Sequence, residues 1–194
     1  MATIGFQEVH FAVLDDNEQV TETFVVNAKK GGAINMKFSG LSPQNNVVYA
    51  SDGPFHIASS GTSSPKVEIG IADLPPELEE AISGAEKDEN GIVKVGKHTT
   101  PPYVAVFGKT KGLKGDDIYM GLTKAKFGMP DGAELATTED KGPEVNTDTL
   151  SGEGVDRGLD DVAFAKGRTA DTDFTYAKYR EYMFPGEVKD PVTP

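Results

Sequence analysis

The sequence predicts a mainly β fold: a two-sheet β-sandwich with one short flanking α-helix at about residues 74–83 and extended loops or arms. Three observations carry that expectation. Several runs alternate apolar and polar residues with the two-residue period of a half-buried strand. The cleanest is 65–72, where Val67, Ile69 and Ile71 oppose Lys66, Glu68 and Gly70. The chain of 194 residues also holds 22 Gly and 12 Pro, above the ordinary combined share of ~12%; many turns imply short strands. Finally, the alternating run stops at Asp73 and converts at once to helical spacing.

The strands follow in order. Val9–Leu14 is stopped by the polar turn 15–18, and Thr21–Ala28 is rich in β-branched residues, which favour strands. After Lys29-Lys30-Gly31-Gly32, the run Ala33–Gly40 sets Ile34, Met36 and Phe38 against Asn35, Lys37 and Ser39. Asn46–Ser51 is closed by Asp52-Gly53-Pro54, read as a turn with Asp52 capping local N–H groups, and a serine-containing loop (58–64) follows. Within 73–84, Leu74, Leu78, Ala81 and Ile82 recur at helical spacing. Asp73 is the expected N-cap, the prolines occupy the first turn, and Gly84 is the stop. A helix this short does not survive alone, so Leu74, Leu78 and Ile82 are assigned to its seam with the sandwich.

In the second half, Asn90-Gly91 is a hairpin signal before Ile92–Val95. Tyr103–Gly108 is apolar on both faces, as a central strand is. Asp117–Phe127 runs Ile118, Met120, Leu122 and then shifts phase to Ala125, Phe127, which places a bulge near Thr123. Residues 128–173 hold few large apolar side chains; Ala133–Thr138 and Thr147–Gly152 are the strand candidates there. Phe174–Phe184 carries a cluster of aromatics and reads as a helix or an aromatic clamp. The expected division is a domain over 1–155 and a C-terminal extension over 156–194, packed on the same domain or on a neighbouring subunit.

Composition narrows the function. With no cysteine there is neither a disulfide nor a thiolate metal site. No apolar run reaches the ~20 residues of a membrane span, and the N-terminus lacks the basic and apolar regions of a signal peptide, so a soluble setting is expected. The net charge of −12 opposes binding to nucleic acid through phosphate contacts.

A catalytic or metal constellation is not found. His10, His56 and His98 fall in different elements, with His10 structural inside a strand and the others exposed. The run 86–97 resembles a calcium loop, but Glu86 stands first and Lys97 twelfth, where a cation repels calcium. Gly152-Glu153-Gly154 is followed by Arg157 where a dinucleotide loop needs glycine, and the serines at 59, 60, 63 and 64 lack a nucleophile motif. No cofactor, metal or enzymatic activity is expected.

Four stretches in order carry a resemblance: Tyr49-Ala50-Ser51-Asp52-Gly53-Pro54 with its Ala-Ser-Ser sequel, Val67–Pro75 with the short helix, Thr100-Pro101-Pro102-Tyr103-Val104-Ala105, and the strand ending Lys124-Ala125-Lys126-Phe127. The set resembles the major tail proteins, or tail tube proteins, of long-tailed phages infecting Gram-positive bacteria, over roughly residues 1–155 plus the aromatic C-terminal segment. The resemblance implies a structural virion protein that self-assembles into rings of six, stacked as a hollow tail tube through which DNA is ejected. It further implies partnership with the tape measure and tail terminator proteins, and assembly in the host cytoplasm. The residues are compatible with this: ring closure pairs exposed strand edges, and an acidic lumen lets a polyanion slide past. Asp52, Gly53 and Pro54 are inter-subunit candidates, and Glu68, Lys37 and Asp117 are candidates for the lumen. The alternative is a monomeric immunoglobulin-like or carbohydrate-binding sandwich, such as a surface decoration or adhesin; the absence of Trp weighs against it.

Overall fold

The computed structural model describes residues 2–130 and 147–187; the strand expected at Ala133–Thr138 lies outside the described residues. In chain order the elements are β1 (Thr3–Leu14), β2 (Val20–Asn27), β3 (Ala33–Ser39), β4 (Gln44–Ala50), β5 (Gly53–Ser60), β6 (Lys66–Ile71), α1 (Pro76–Ser83), β7 (Glu86–Lys87), β8 (Val93–Lys94), β9 (Tyr103–Gly112), β10 (Asp117–Phe127), β11 (Asp148–Gly154), β12 (Phe164–Arg168) and α2 (Tyr176–Met183). The fold is mainly β, as the alternation predicts. One large antiparallel sheet runs β2-β1-β9-β10-β11-β6-β3, with β12 also paired to β10; β4-β5 and β7-β8 form two small sheets of their own.

Strand β10 makes two layers out of this one sheet. Its first half, Ile118–Leu122, pairs with β12, and its last residues, Ala125–Phe127, pair with β11. The register against β9 slips between Leu122 and Ala125, where the phase shift of the sequence had located a bulge. A bulge bends and twists its strand. The two halves of the sheet therefore face each other across a core in which Val9, Phe11, Val104 and Val106 meet Val67, Ile69, Ile71 and Leu150. The bulge is held from outside: Thr123 donates through its hydroxyl to the Val162 carbonyl, and its N–H bonds the Ala163 carbonyl at 3.0 Å.

Helix α1 covers one end of this core, and Leu74, Leu78 and Ile82 are all buried in it. Gly84 ends the helix at φ 66°, and a side chain there would come within 2.4 Å of the Thr100 carbonyl, so glycine is required for both conformation and space. The N-terminal expectation needs correction. Pro75, not Asp73, is the N-cap, and it has no side-chain cap; its carbonyl accepts from Leu78 and Glu79 at 3.0 Å. Pro75 is held in extended backbone by the proline that follows it, and Pro76 takes the first helical position, where its missing N–H costs nothing.

The second face of the β1-β9 layer is buried too. Ala12, Leu14, Ala105, Phe107 and Tyr119 pack beneath Tyr179, Met183 and Phe184, which explains why Tyr103–Gly108 is apolar on both faces. The aromatic segment, open between helix and clamp, is thus helix α2, capped by Thr175, whose hydroxyl accepts from the Lys178 N–H at 3.3 Å. Phe107 meets the Tyr179 ring edge-on at 5.4 Å.

Polar ties fix the loop 155–163 between α2 and the sheet. Buried Arg157 donates to both carboxylate oxygens of Asp160, at 3.0 and 2.6 Å, and to the Tyr182 carbonyl at 2.7 Å. Glu18, in the β1-β2 turn, accepts from the N–H groups of Gly158 and Leu159 and from Lys124, at 2.9, 3.1 and 2.6 Å. Arg157→Met leaves the Tyr182 carbonyl without the guanidinium donor and Asp160 without its cation, with the Tyr182 hydroxyl at 2.6 Å still bonded to it, and is expected to cost on the order of 2–3 kcal/mol. Urea unfolding with an unchanged slope reads this directly; a loss below about 0.5 kcal/mol, the range of ordinary surface changes, contradicts it.

Candidate assembly surface

The sequence directed attention to Asp52, Gly53 and Pro54, and the structure puts them at the tip of an arm. Among the described residues, strands β4 and β5 pair only with each other. Ser51 and Asp52 adopt φ of 52° and 63°, the two left-handed central residues of a tight hairpin turn. Gly53 and Pro54 already belong to β5, as does the Ala-Ser-Ser stretch read from sequence as a loop. That reading is corrected: His56 to Ser60 pair back onto β4 once a two-residue turn precedes them.

The register slips at the tip. Tyr49 pairs with Pro54 and Val48 with His56, so Phe55 is the extra residue of a bulge. Its side chain is 76% exposed, beside Tyr49 at 71% and Ile57 at 59%. Across residues 44–60 the only charged or titratable side chains besides Tyr49 are Asp52 and His56. A lone two-stranded hairpin is marginal in water, and a cluster of exposed large apolar side chains marks a contact surface.

Elsewhere exposed apolar side chains such as Ile4, Ile92, Leu113 and Leu159 are spread over several elements, and several surface charges are paired. On the outer face of β3, β6 and β11, Lys37 lies 3.3 Å from Glu68 and Lys66 lies 2.6 Å from Glu153. Both pairs are solvated and contribute little to stability. Asp117, also proposed for the lumen, is held by Lys111 at 2.9 Å and Lys109 at 3.5 Å; its hydrogen bond with Lys111 is the first cause of a carboxyl pKa below the ordinary value. In the β7-β8 hairpin, Asp88 accepts from Asn90 and Ile92 at 2.9 Å and pairs with Lys94 at 2.8 Å, a solvated turn.

The three histidines stay apart. His56 and His98 are exposed. His10 is 5% exposed, its ring stacked on Phe107 at 4.6 Å, its Nε2 3.3 Å from Glu8 and its Nδ1 3.4 Å from Arg180 of α2. Around it also stand Tyr176, Glu187 and, beyond Glu8, Lys109. Burial lowers its pKa, more than Glu8 raises it. Because the folded state resists the proton, stability is present above the unfolded value of ~6.5 and is lost as pH falls from there toward the lower folded value. Thermal melts are expected to drop between pH 7.5 and 5.5 in the native chain, and to stay nearly level in His10→Phe, which keeps the stacking. Equal slopes in both chains contradict this.

Among the described residues, no group of three His, Cys, Asp or Glu side chains is placed to hold a metal ion, and no helix is long and apolar enough to cross a membrane. What sequence reasoning missed on this surface is Phe55 and Ile57; the signal was present in their β propensity, and Pro54 obscured it. No curated protein matches the chain. The family of phage tail tube proteins matches residues 1–192 of the 194. The chain belongs to the phage tail tube protein family, and is accordingly a structural, non-enzymatic protein of the phage tail.

Proposed function

We propose that copies of this chain close into rings of six that stack into a hollow tube, through which phage DNA passes without specific binding on its way into a Gram-positive host. The β4-β5 arm carries the reading: a hairpin that pairs, among the described strands, with itself alone, with Tyr49, Phe55 and Ile57 exposed, is a surface suited to another copy. Asp52, Gly53 and Pro54 shape its tip and lie at the inter-subunit contact. Strands β2 and β3 end the large sheet, and pairing between copies removes the hazard of such edges. A head-to-tail contact that closes gives a ring. The net charge of −12 suits a lumen that must not hold a polyanion.

In this reading residues 1–155 form the tube domain and 156–194 an extension packed on the same domain, supported by the burial of α2 on Phe107 and Tyr119. The tape measure protein occupies the tube during assembly in the host cytoplasm, and the terminator closes it. Family membership favours this account over a monomeric glycan-binding module. Native mass spectrometry tests the stoichiometry: species at multiples of six chains are expected, and a ladder based on another number overturns the hexamer.

A further inference from the structure

Strand β3 bonds β6 on one edge, and its other edge faces the first half of β1. There β1 breaks register with β9 twice, between Ile4 and Phe6 and again between Phe6 and Glu8. A slot of about 260 Å³ remains between the two strands, lined mainly by Phe6, Ile34, Met36, Phe38, Gly108 and Met120. Gly108 keeps its floor open, since a Cβ there would lie 2.7 Å from both Phe6 and Met36. Among the described residues no charged one lines the slot, though Thr3, Asn35 and Thr110 give it polar margins, and Ile34 in its wall is 46% exposed.

We propose that Phe55 of one copy seats in this slot on a second copy. The inference rests on the assembly reading above and names its contact. Three features select this occupant. Phe55 stands out of its hairpin on a bulge and is among the most exposed large apolar side chains of the described residues. Both surfaces are mainly apolar and nearly free of charge, so neither desolvates an unpaired ion on contact. The volume suffices, since a dry apolar cavity of about 150 Å³ already accepts a benzene ring. Phe55 does not fill its own slot, being 76% exposed. Knob and slot lie at different places on one chain, so the contact is heterologous and repeats from copy to copy.

The absence of native cysteine gives a clean test. Phe55→Cys and Met36→Cys chains are assembled together, oxidised mildly and run without reductant. A disulfide-linked dimer is expected in the mixture and a ladder of oligomers from the double variant. Tubes that form without a bond at this pair, or a double variant that closes only within single chains, overturn the proposal and leave the assembly reading standing. Failure of the native chain to assemble removes the reading beneath it. Phe55→Asp in parallel is expected to keep its melting temperature while raising the concentration needed for assembly roughly tenfold or more. Assembly unchanged from that of the native chain contradicts the seating.

Discussion

Leu78→Asp is expected to yield no folded protein. Leu78 is fully buried in the seam between α1 and the facing sheet layers, among Val67, Ile69, Leu74 and Ile82. The substitution removes about 1.5–3 kcal/mol of apolar burial and adds a carboxylate with no cation in the seam. An isolated buried charge costs several kcal/mol more, or takes up a proton. Nearby acids aggravate this: burial first, and then Asp148 and Glu80, already raise the Glu79 pKa. Set against a whole-domain stability of roughly 5–15 kcal/mol, the sum unfolds the subunit and removes any assembly with it. Circular dichroism and soluble yield read the outcome, with Leu78→Ala as a graded control expected to lose about 2–5 kcal/mol. A Leu78→Asp chain that melts like the native one refutes the seam.

Excising residues 44–60 is expected to have the opposite signature: a folded subunit with no assembly. The arm contributes no strand to the large sheet and none of its described side chains to either buried cluster. Its roots are already tied together, since the Ser63 N–H bonds the carbonyls of Gly40 and Ser42 at 3.2 and 3.0 Å, so a short glycine-rich link can replace it. The melting temperature should move by only a few degrees, because a surface loop change costs little. Sedimentation should show a single small species at concentrations where the native chain polymerises. Tubes built from the armless chain contradict the role assigned to the arm.

The two expectations differ in how legible they were. The α1 seam could be read directly: helical spacing of Leu74, Leu78 and Ile82, a proline start and a glycine stop are local rules. The bulge in β10 was legible for the same reason, as a phase change from even to odd apolar positions. Local rules failed where tertiary context decides. The stretch Thr3–Glu8 extends β1 because β9 is there to pair with it, although Gly5 and two register breaks weaken any alternation. That the layers belong to one sheet depends on β10 pairing with β11 and β12 at its two ends, a long-range fact that no window of sequence contains. Arg157, polar and flanked by Asp and Gly, looks like a surface residue until the Tyr182 carbonyl and Asp160 enclose it. Phe55 is the instructive miss: a proline one residue earlier is a strong loop signal, but at the first positions of a strand it is tolerated.

The central claim is that this subunit exists to be repeated around an axis, and electron microscopy of the purified native chain near neutral pH tests it most directly. The account requires hollow cylinders of stacked rings, with the β4-β5 arm bridging from one copy to another. Separate subunits at high concentration, with that arm free in solvent and no central channel, would contradict it.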